Sequence, residues 1–340
     1  MRRYILIFFL IGCNQSNDSI QSVIDLSQPK EENINTQFIS KMPLDIDEFS
    51  YSNFSFIQAN NSGIYVTPST TIDGYVLYRY QISSNSTVEV KGVVKEGRGP
   101  KEKERISMSS KSISGDTLLF GSSGSKTLVI NRKGELSEWN VPTYKLPNFG
   151  YSFSYNGNKL LIPSFNPAQS ENLFGIFDIE NQSINFSFPA RVPYGFQPSI
   201  RNDILGETPI PGGFAVSFLG DRKVYILNYL GEIEKEIILG ESDEIPRPYK
   251  VENVQESIGA KPHITKMEYF NDHLLVLMDN ILWFIKMPSF EVSNRLKFHT
   301  LENEDKATVI DFSIAENYLY LRVGRKGIYF TETDQSWTYN

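Results

Sequence analysis

Cysteine and histidine are scarce in this sequence, which has one cysteine, Cys13, and three histidines among 340 residues. A single cysteine excludes an internal disulfide. The sequence also lacks the His-Glu-x-x-His motif of metalloproteases, the Gly-x-Ser-x-Gly motif of serine hydrolases and the Asp-rich calcium loop with its glycine. We therefore expect no catalytic residue set, no metal site and no cofactor.

A basic surface pattern and a long apolar run are missing as well. The net charge is −7, and no stripe of Lys and Arg alternates with aromatic residues, so nucleic acid is not an expected partner. Helical periodicity is almost absent, whereas the 23 Phe and 18 Tyr residues favour β-structure. The apolar segment at residues 4–11 is much shorter than the roughly 20 residues that a membrane-spanning helix needs.

The N-terminus instead has the order of a secretion signal. Met1-Arg2-Arg3 is basic, residues 4–11 are apolar, and a small residue and Cys13 follow. The segment Leu10–Cys13 resembles the lipobox of bacterial lipoproteins, and this resemblance implies cleavage before Cys13 and attachment of lipid to its sulfur. The alternative is an ordinary signal peptide that happens to contain a cysteine.

Composition divides the rest of the chain into two parts. Residues 13–33 are polar, have no periodicity and are expected to form a flexible tether after a signal peptide at 1–12. Asn14 directly follows the lipobox, which favours the outer membrane over the inner membrane, in either leaflet. Residues 34–340 are long enough to bury a large core and are expected to form the folded domain.

A strand–turn–strand repeat dominates this domain. Segment 212–241 reads as three strands, Phe214–Leu219, Lys223–Tyr229 and Ile233–Leu239, joined by two tight turns. Such a unit has two apolar faces and needs a similar unit on each side. The pattern occurs six times, and five copies carry an aligned apolar pair: Leu118-Leu119, Leu160-Leu161, Ala215-Val216, Leu274-Leu275 and Leu319-Tyr320.

Six copies at intervals of about 40–60 residues predict an all-β, six-bladed β-propeller of four-stranded antiparallel blades. A β-sandwich or two smaller β-domains are the alternative. The sixth copy, residues 308–331, is one strand short. We expect the N-terminal segment Thr36–Met42 to close this last blade, because an open ring would expose two sheet edges.

In such a propeller, connections between blades and those between second and third strands lie on one face. The long segments 94–105, 189–203, 240–263, 68–74 and 164–173 all belong to that face, and a short helix is expected within 240–263. Since loops on a rigid scaffold often carry binding groups, this is the predicted binding face. The aromatic residues there could instead pack loop against loop. The candidate ligand-binding residues are Arg98, Glu102, Tyr194, Arg201, Arg247, Tyr249, Lys261 and His263.

One motif in these loops has family character. Residues 97–102 read GRGPKE, in which Arg98 could lie over the channel and pair with Glu102. The segment resembles the Gly-x-Gly-Pro-Gly-Glu signature of bacterial six-bladed β-propeller lipoproteins, the TolB-like family, and departs from it at Lys101. Together with the lipobox and the six repeats, the resemblance implies a propeller located in the cell envelope.

These features lead to two main hypotheses. The first is a non-enzymatic, membrane-tethered lipoprotein that binds a protein, peptide or glycan partner through the loop-rich face, and the missing catalytic motifs favour it. The alternative is a propeller hydrolase or lyase that acts on an envelope polysaccharide, with Glu102 and His263 as its acid/base candidates. A structural scaffold in an envelope complex is a third possibility.

Overall fold

The protein is described from a computed structural model, which covers residues 20–24, 31–34, 40–41, 54–68, 71, 73–82, 88–106, 108–121, 127–139, 154–163, 172–189, 204–218, 222–239, 264–278, 280–298, 309–323 and 327–334. Within these ranges no residue lies in a helix, so no helix there is long and apolar enough to cross a membrane. The helix expected within 240–263, the signal peptide and Cys13 lie outside the described residues.

The strands group into three short N-terminal segments and six sheets. The N-terminal strands are β1 (Ile20–Ile24), β2 (Glu31–Ile34) and β3 (Ser40–Lys41). Blade 1 comprises β4 (Phe54–Asn60), β5 (Gly63–Pro68), β6 (Tyr75–Ile82) and β7 (Val88–Lys95). Blade 2 comprises β8 (Met108–Lys111), β9 (Leu118–Gly121), β10 (Thr127–Ile130) and β11 (Leu136–Trp139). Blade 3 comprises β12 (Ser154–Asn156), β13 (Lys159–Pro163), β14 (Asn172–Asp178) and β15 (Ser183–Pro189).

The second half of the chain repeats this order. Blade 4 comprises β16 (Ile204–Ile210), β17 (Gly213–Phe218), β18 (Lys223–Asn228) and β19 (Ile233–Leu239). Blade 5 comprises β20 (Ile264–Phe270), β21 (His273–Met278), β22 (Ile281–Lys286) and β23 (Glu291–Phe298). Blade 6 comprises β24 (Val309–Ile314), β25 (Tyr318–Val323) and β26 (Gly327–Glu332), with β3 as its fourth strand.

The six blades form a ring around a channel, which confirms the predicted six-bladed β-propeller. Sequential strands pair antiparallel within every blade. The first strands β4, β8, β12, β16, β20 and β24 each contact the first strand of the next blade, and β24 contacts β4. The first strand of each blade is therefore the innermost one, and the ring closes between blades 6 and 1.

The core lies between neighbouring blades rather than inside any one of them. All six residues of β21 are buried, and its apolar side chains alternate between two apolar clusters. Leu274 and Val276 pack in the cluster shared with blade 4, whereas Leu275 and Leu277 pack in the cluster shared with blade 6. Because successive side chains of a strand point to opposite faces, an apolar strand needs a neighbour on each side. Repetition of this arrangement around the ring produces six such clusters among the described residues.

The N-terminal strands add to the outer edges of three successive blades. Strand β1 pairs parallel with β19 of blade 4, and β2 pairs parallel with β23 of blade 5. Strand β3 pairs antiparallel with β26 of blade 6. Strand β1 and most of β2 fall in the stretch 13–33, so the expectation of a flexible tether does not hold for these residues. They pair because an outermost strand presents unpaired backbone groups that any residue can satisfy.

The last blade was expected to be closed by Thr36–Met42. Ser40 and Lys41 of this segment pair with Phe330 and Tyr329, respectively. The other residues of the segment lie outside the described ranges. Sealing of the ring by the whole segment therefore stays a prediction.

Candidate functional site

The two mouths of the channel are built from different connections. One face, here called the turn face, carries the turns that join first to second strands and third to fourth strands. The opposite face, here called the loop face, carries the connections between blades and between second and third strands. The backbone N–H of Glu96 donates a hydrogen bond of 2.8 Å to the carbonyl of Gly74, so two of the connections predicted to share the loop face do meet there.

Glu102, a candidate on the loop face, is used to shape its own loop. Its Oε2 atom accepts a hydrogen bond of 2.8 Å from the backbone N–H of Gly99. A Cβ atom at Gly99 would lie 2.7 Å from the same oxygen, and one at Gly97, where φ is +155°, would overlap it. Glycine is therefore needed at both positions for the carboxylate to approach the backbone. The Gly-x-Gly…Glu spacing has a local structural reason that is independent of any ligand.

Arg98, the other described candidate, does not pair with Glu102 as expected. Its Nε atom forms an ion pair with Glu104, and both side chains are largely exposed. The backbone N–H of Lys101 donates a hydrogen bond of 2.7 Å to Glu138 of β11, the outermost strand of blade 2. This contact places the loop at the rim of the propeller, so Arg98 is not held over the channel.

The remaining predicted binding residues, Tyr194, Arg201, Arg247, Tyr249, Lys261 and His263, lie outside the described residues. Of the candidates on the loop face, the structure thus describes only Arg98 and Glu102. The two are near neighbours in the chain but belong to separate contacts.

A cavity of about 520 Å³ opens at the other mouth, on the turn face. It is formed by the turns that follow the innermost strands of blades 1, 2, 5 and 6, with neighbouring segments of blades 2, 5 and 6. Four carboxylates and one guanidinium line it, together with Lys111 at its base: Asp116, Asp272, Glu316, Asp334 and Arg132. The rim is therefore predominantly acidic and rich in hydrogen-bonding groups.

Local contacts hold the rim side chains in place. The hydroxyl group of Tyr269 donates a hydrogen bond of 2.9 Å to Asp272. Burial, this hydrogen bond and the carboxylate charge together raise the pKa of Tyr269 to about 12. The Nδ2 atom of Asn61 in blade 1 donates to Glu316 in blade 6 at 3.0 Å. Asp116 lies 3.7 Å from Arg132. The rim is thus largely preorganised, and it joins blades 1 and 6 directly.

The base of the cavity is a buried ion pair that crosses the channel. Lys111 ends the innermost strand of blade 2, and Glu268 lies on the innermost strand of blade 5, on the opposite side of the ring. Their Nζ and Oε2 atoms are 3.1 Å apart, and the two side chains are 7% and 3% exposed. Lys111 also donates to the carbonyl of Ile314 in blade 6. Three blades therefore share one ammonium group.

The charges of this pair respond to burial in opposite ways. Burial lowers the pKa of Lys111 below its ordinary value, against the opposing effect of the Glu268 carboxylate. Burial alone would raise the pKa of Glu268, but the ammonium groups of Lys111 and Lys266, with hydrogen bonds from Ser313 and the Ile314 N–H, bring it below its ordinary value. The lowered pKa of Glu268 favours its charged form, whereas the lowered pKa of Lys111 works against the charge of the ammonium group; of the two residues, Lys111 lines the cavity.

A second set of buried contacts joins blade 6 to blade 1. Asp311 of β24 accepts a hydrogen bond of 2.9 Å from the backbone N–H of Ile57, and Ser313 accepts one of 2.8 Å from Ala59. Lys266 of blade 5 lies 2.8 Å from Asp311 and donates to the carbonyl of Ile57 at 2.8 Å. The ring is consequently fastened at its inner wall, in addition to any closure at its outer edge.

Sequence reasoning missed both the turn-face cavity and the ion pairs beneath it. A usable signal was present, since Lys111, Lys266, Glu268 and Asp311 are charged residues in the first strands of three of the repeats. Charges in such strands require partners, because an unpaired buried charge is very costly. Within the described ranges, no group of three or more His, Cys, Asp or Glu side chains is arranged to hold a metal ion.

Comparison with known proteins adds information about the fold. No protein-family model matches the chain, and no curated protein matches it. Among solved structures, a member of the duf4221 family from Bacteroides vulgatus is similar, with a TM-score of 0.52 and 14% identity over 88% of this chain and 99% of that chain. A protein of unknown function from Bacteroides thetaiotaomicron has a TM-score of 0.49 and 12% identity over 87% of this chain and 76% of that chain.

A third similar structure is a Bacteroides fragilis protein that its name presumes to be exported, with a TM-score of 0.48 and 13% identity over 89% of this chain and 87% of that chain. At such identities the likeness concerns the fold alone. Membership of the TolB-like family stays a prediction.

Proposed function

We propose that this protein is a membrane-tethered lipoprotein of the cell envelope whose propeller binds a protein, peptide or glycan partner without converting it chemically. The signal-like N-terminus and the lipobox-like segment ending at Cys13 support the tether. The observation that carries the binding role is the turn-face cavity, a polar depression with preorganised walls on a rigid ring.

The cavity walls indicate which chemical groups fit. Carboxylates such as Asp116 and Glu316 accept hydrogen bonds and attract positive charge, while the Asn61 amide offers both a donor and an acceptor. Phe270 adds apolar surface to the lining. Hydroxyl-rich glycan units and peptide groups bearing N–H donors or an ammonium are therefore the matching ligands. This assignment differs from the sequence-based expectation, which put the partner on the loop face.

A paired mutational test distinguishes the two faces. The purified full-length protein in detergent micelles is screened against a panel of envelope glycans and peptides, and the Kd of each hit is measured for Glu316→Ala and Arg98→Ala. We expect Glu316→Ala to weaken binding and Arg98→Ala to leave it unchanged. The opposite pattern would transfer the binding role to the loop face. Hits that neither substitution affects would refute a role for either described region.

The anchoring part has its own test. Cys13→Ser should release the protein from the membrane fraction while the domain stays folded, since lipid on Cys13 is the proposed anchor. Flotation of the variant with membranes after signal cleavage would contradict the proposal. Among bacterial membranes, the residue Asn14 favours the outer one.

The hydrolase or lyase alternative relied on Glu102 and His263. The carboxylate of Glu102 is engaged with the Gly99 N–H, which is a structural use of the side chain. No contact of a described residue favours catalysis at this position. Turnover on the same glycan panel that disappears in Glu102→Gln would nevertheless replace the binding proposal with the enzymatic one.

A further inference from the structure

We propose that the propeller is oriented with its turn face toward the membrane and with blade 4 nearest to the lipid, so that the turn-face cavity opens toward the membrane surface. This inference rests on the proposed lipid anchor at Cys13. It concerns which surface of the protein meets the bilayer, and it follows from the position and direction of β1.

The first step is where the chain joins the propeller. Strand β1 runs parallel to β19, with Ile20 opposite Lys235 and Ile24 opposite Leu239. Strand β19 follows the turn that connects the third and fourth strands of blade 4, so it runs from the turn face to the loop face. The chain therefore enters the sheet near the turn face of blade 4.

The second step is the reach of the segment between the lipid and β1. Seven residue steps separate Cys13 from Ile20, and a fully extended chain of that length spans at most about 25 Å. The seven residues of β19 already cover about 20 Å from one face to the other. A lipid that emerged at the loop face would need almost all of this reach to pass along the blade. The turn face lies next to Ile20, so a lipid that emerged there would need only a small part of the reach of this segment.

The third step is an exposed apolar side chain at the same place. Leu230 is 62% exposed, the large apolar side chain of the described residues that solvent reaches most. It lies in the turn that leads into β19, the partner of β1. Asn228 holds this turn by accepting hydrogen bonds from the N–H groups of Leu230 at 2.9 Å and Glu232 at 3.0 Å. The leucine is thus presented on a fixed turn beside the point where the anchor emerges, as expected of a side chain that enters the lipid interface.

The fourth step is the distribution of charge over the turn face. The carboxylates around the cavity belong to blades 2, 5 and 6 and to the segment that follows blade 6, and among the described residues none of blade 4 lines the cavity. Anionic headgroups repel these carboxylates at short range, and salt screens the repulsion beyond about 10 Å. A tilt that brings blade 4 closest to the bilayer satisfies the anchor and keeps Asp116 of blade 2 and Glu316 of blade 6 farther from the headgroups than blade 4, while Asp272 of the neighbouring blade 5 lies at an intermediate distance. The cavity then faces the membrane across a water layer.

The experiment uses the fact that Cys13 is the only cysteine and would carry lipid. A new cysteine in the full-length, lipidated protein is then the only free thiol for a fluorescent label. Three exposed positions are compared: Pro211→Cys in a turn of blade 4, Lys133→Cys in a turn of blade 2, and Glu96→Cys on the loop face. The proteins are reconstituted in vesicles of phosphatidylethanolamine and phosphatidylglycerol that contain doxyl-labelled lipid as a quencher.

We expect the greatest loss of fluorescence at position 211, a smaller loss at 133 and none at 96. Leu230→Ser in the Pro211→Cys background should reduce the loss at 211, since it removes the apolar contact. Quenching at 96 equal to or greater than that at 211 would overturn the orientation, and so would vesicle flotation without quenching at any position. Failure of the protein to float with vesicles would refute the lipid anchor itself, which separates the two proposals.

Discussion

Asp311 joins blade 6 to blade 1 through a buried charge, and its removal should weaken this junction strongly. It is 7% exposed, accepts the Ile57 N–H at 2.9 Å and lies 2.8 Å from the ammonium of Lys266. Asp311→Ala leaves a buried N–H unsatisfied, and among the described residues Lys266 then keeps Glu268, at 3.5 Å, as its counter-ion. Breaking a buried ion pair by removing one partner costs about 3–5 kcal/mol. That is a large share of the roughly 5–15 kcal/mol that separates folded from unfolded domains.

Ser313→Ala supplies a matched control two residues away. Ser313 accepts a hydrogen bond of 2.8 Å from the Ala59 N–H across the same junction, its hydroxyl group also donates to Glu268, and it carries no charge. Its loss should cost about 1–3 kcal/mol, the penalty of leaving a buried donor unsatisfied. Asp311→Asn should fall between the two, because it keeps an acceptor for Ile57 and loses the ion pair. Urea unfolding at neutral pH measures all three midpoints. Equal midpoints for Asp311→Ala and Ser313→Ala would refute the importance of the buried charge.

Two further predictions follow from the outer strands and from acid titration. Deletion of residues 14–30, which removes β1 and leaves β2 intact, should lower the urea midpoint, because five residue pairs with β19 are lost and each backbone hydrogen bond contributes about 1 kcal/mol. An unchanged midpoint would show that β1 contributes no stability. The N–H of Asn181 and the ammonium of Lys159 hold the pKa of Asp178 well below its usual range, so they stabilise the fold while the carboxyl group is ionised. This stabilisation is present above the ordinary pKa of an aspartate and is lost as the pH falls toward the lowered pKa of the folded state. Asp178→Asn should therefore be less stable than the natural chain at pH 7, and the difference in stability should shrink in acid. Unfolding curves measured at pH 7 and in acid test this linkage, and a constant difference would contradict it.

The blades could be predicted from sequence because their information is local. The predicted strand Ile233–Leu239 has the bounds that the structure shows, and Lys223–Tyr229 differs from β18 by one residue. Apolar alternation and glycine-containing turns such as that at Gly231, where φ is +85°, indicate strands and hairpins without reference to the rest of the chain.

The N-terminal strands escaped prediction for the opposite reason. Strand β2 has the sequence EENI, and β1 has the sequence IQSVI, so neither carries the apolar alternation of a blade. Their pairing uses backbone groups, which every residue other than proline offers equally, so composition holds no signal of it.

The candidate site depended on contacts that sequence order hides. Lys111 and Glu268 meet across the channel, 157 positions apart in the chain, and recognising them requires knowing that blades 2 and 5 lie opposite each other. The motif at 97–102 was singled out from the sequence, but its charges were paired wrongly. Arg98 contacts Glu104, while Glu102 turns inward to the Gly99 N–H. Glu102 and Glu104 are both within reach of Arg98 in sequence, so only the geometry decides between them.

The wrapping of the N-terminal strands around blades 4 to 6 also sets an order of events during folding. Ile20 pairs with Lys235 and Ser40 pairs with Phe330, so the first segments of the chain must wait for partners that follow much later in it. Contacts between residues so distant in the chain slow folding, and unpaired strands are exposed to aggregation in the meantime. Blades 1 to 3 have no N-terminal strand at their outer edge among the described residues and can assemble as soon as they are made. The chain should therefore mature from its first half toward its second, with the attachment of β1, β2 and β3 as the final, rate-limiting steps.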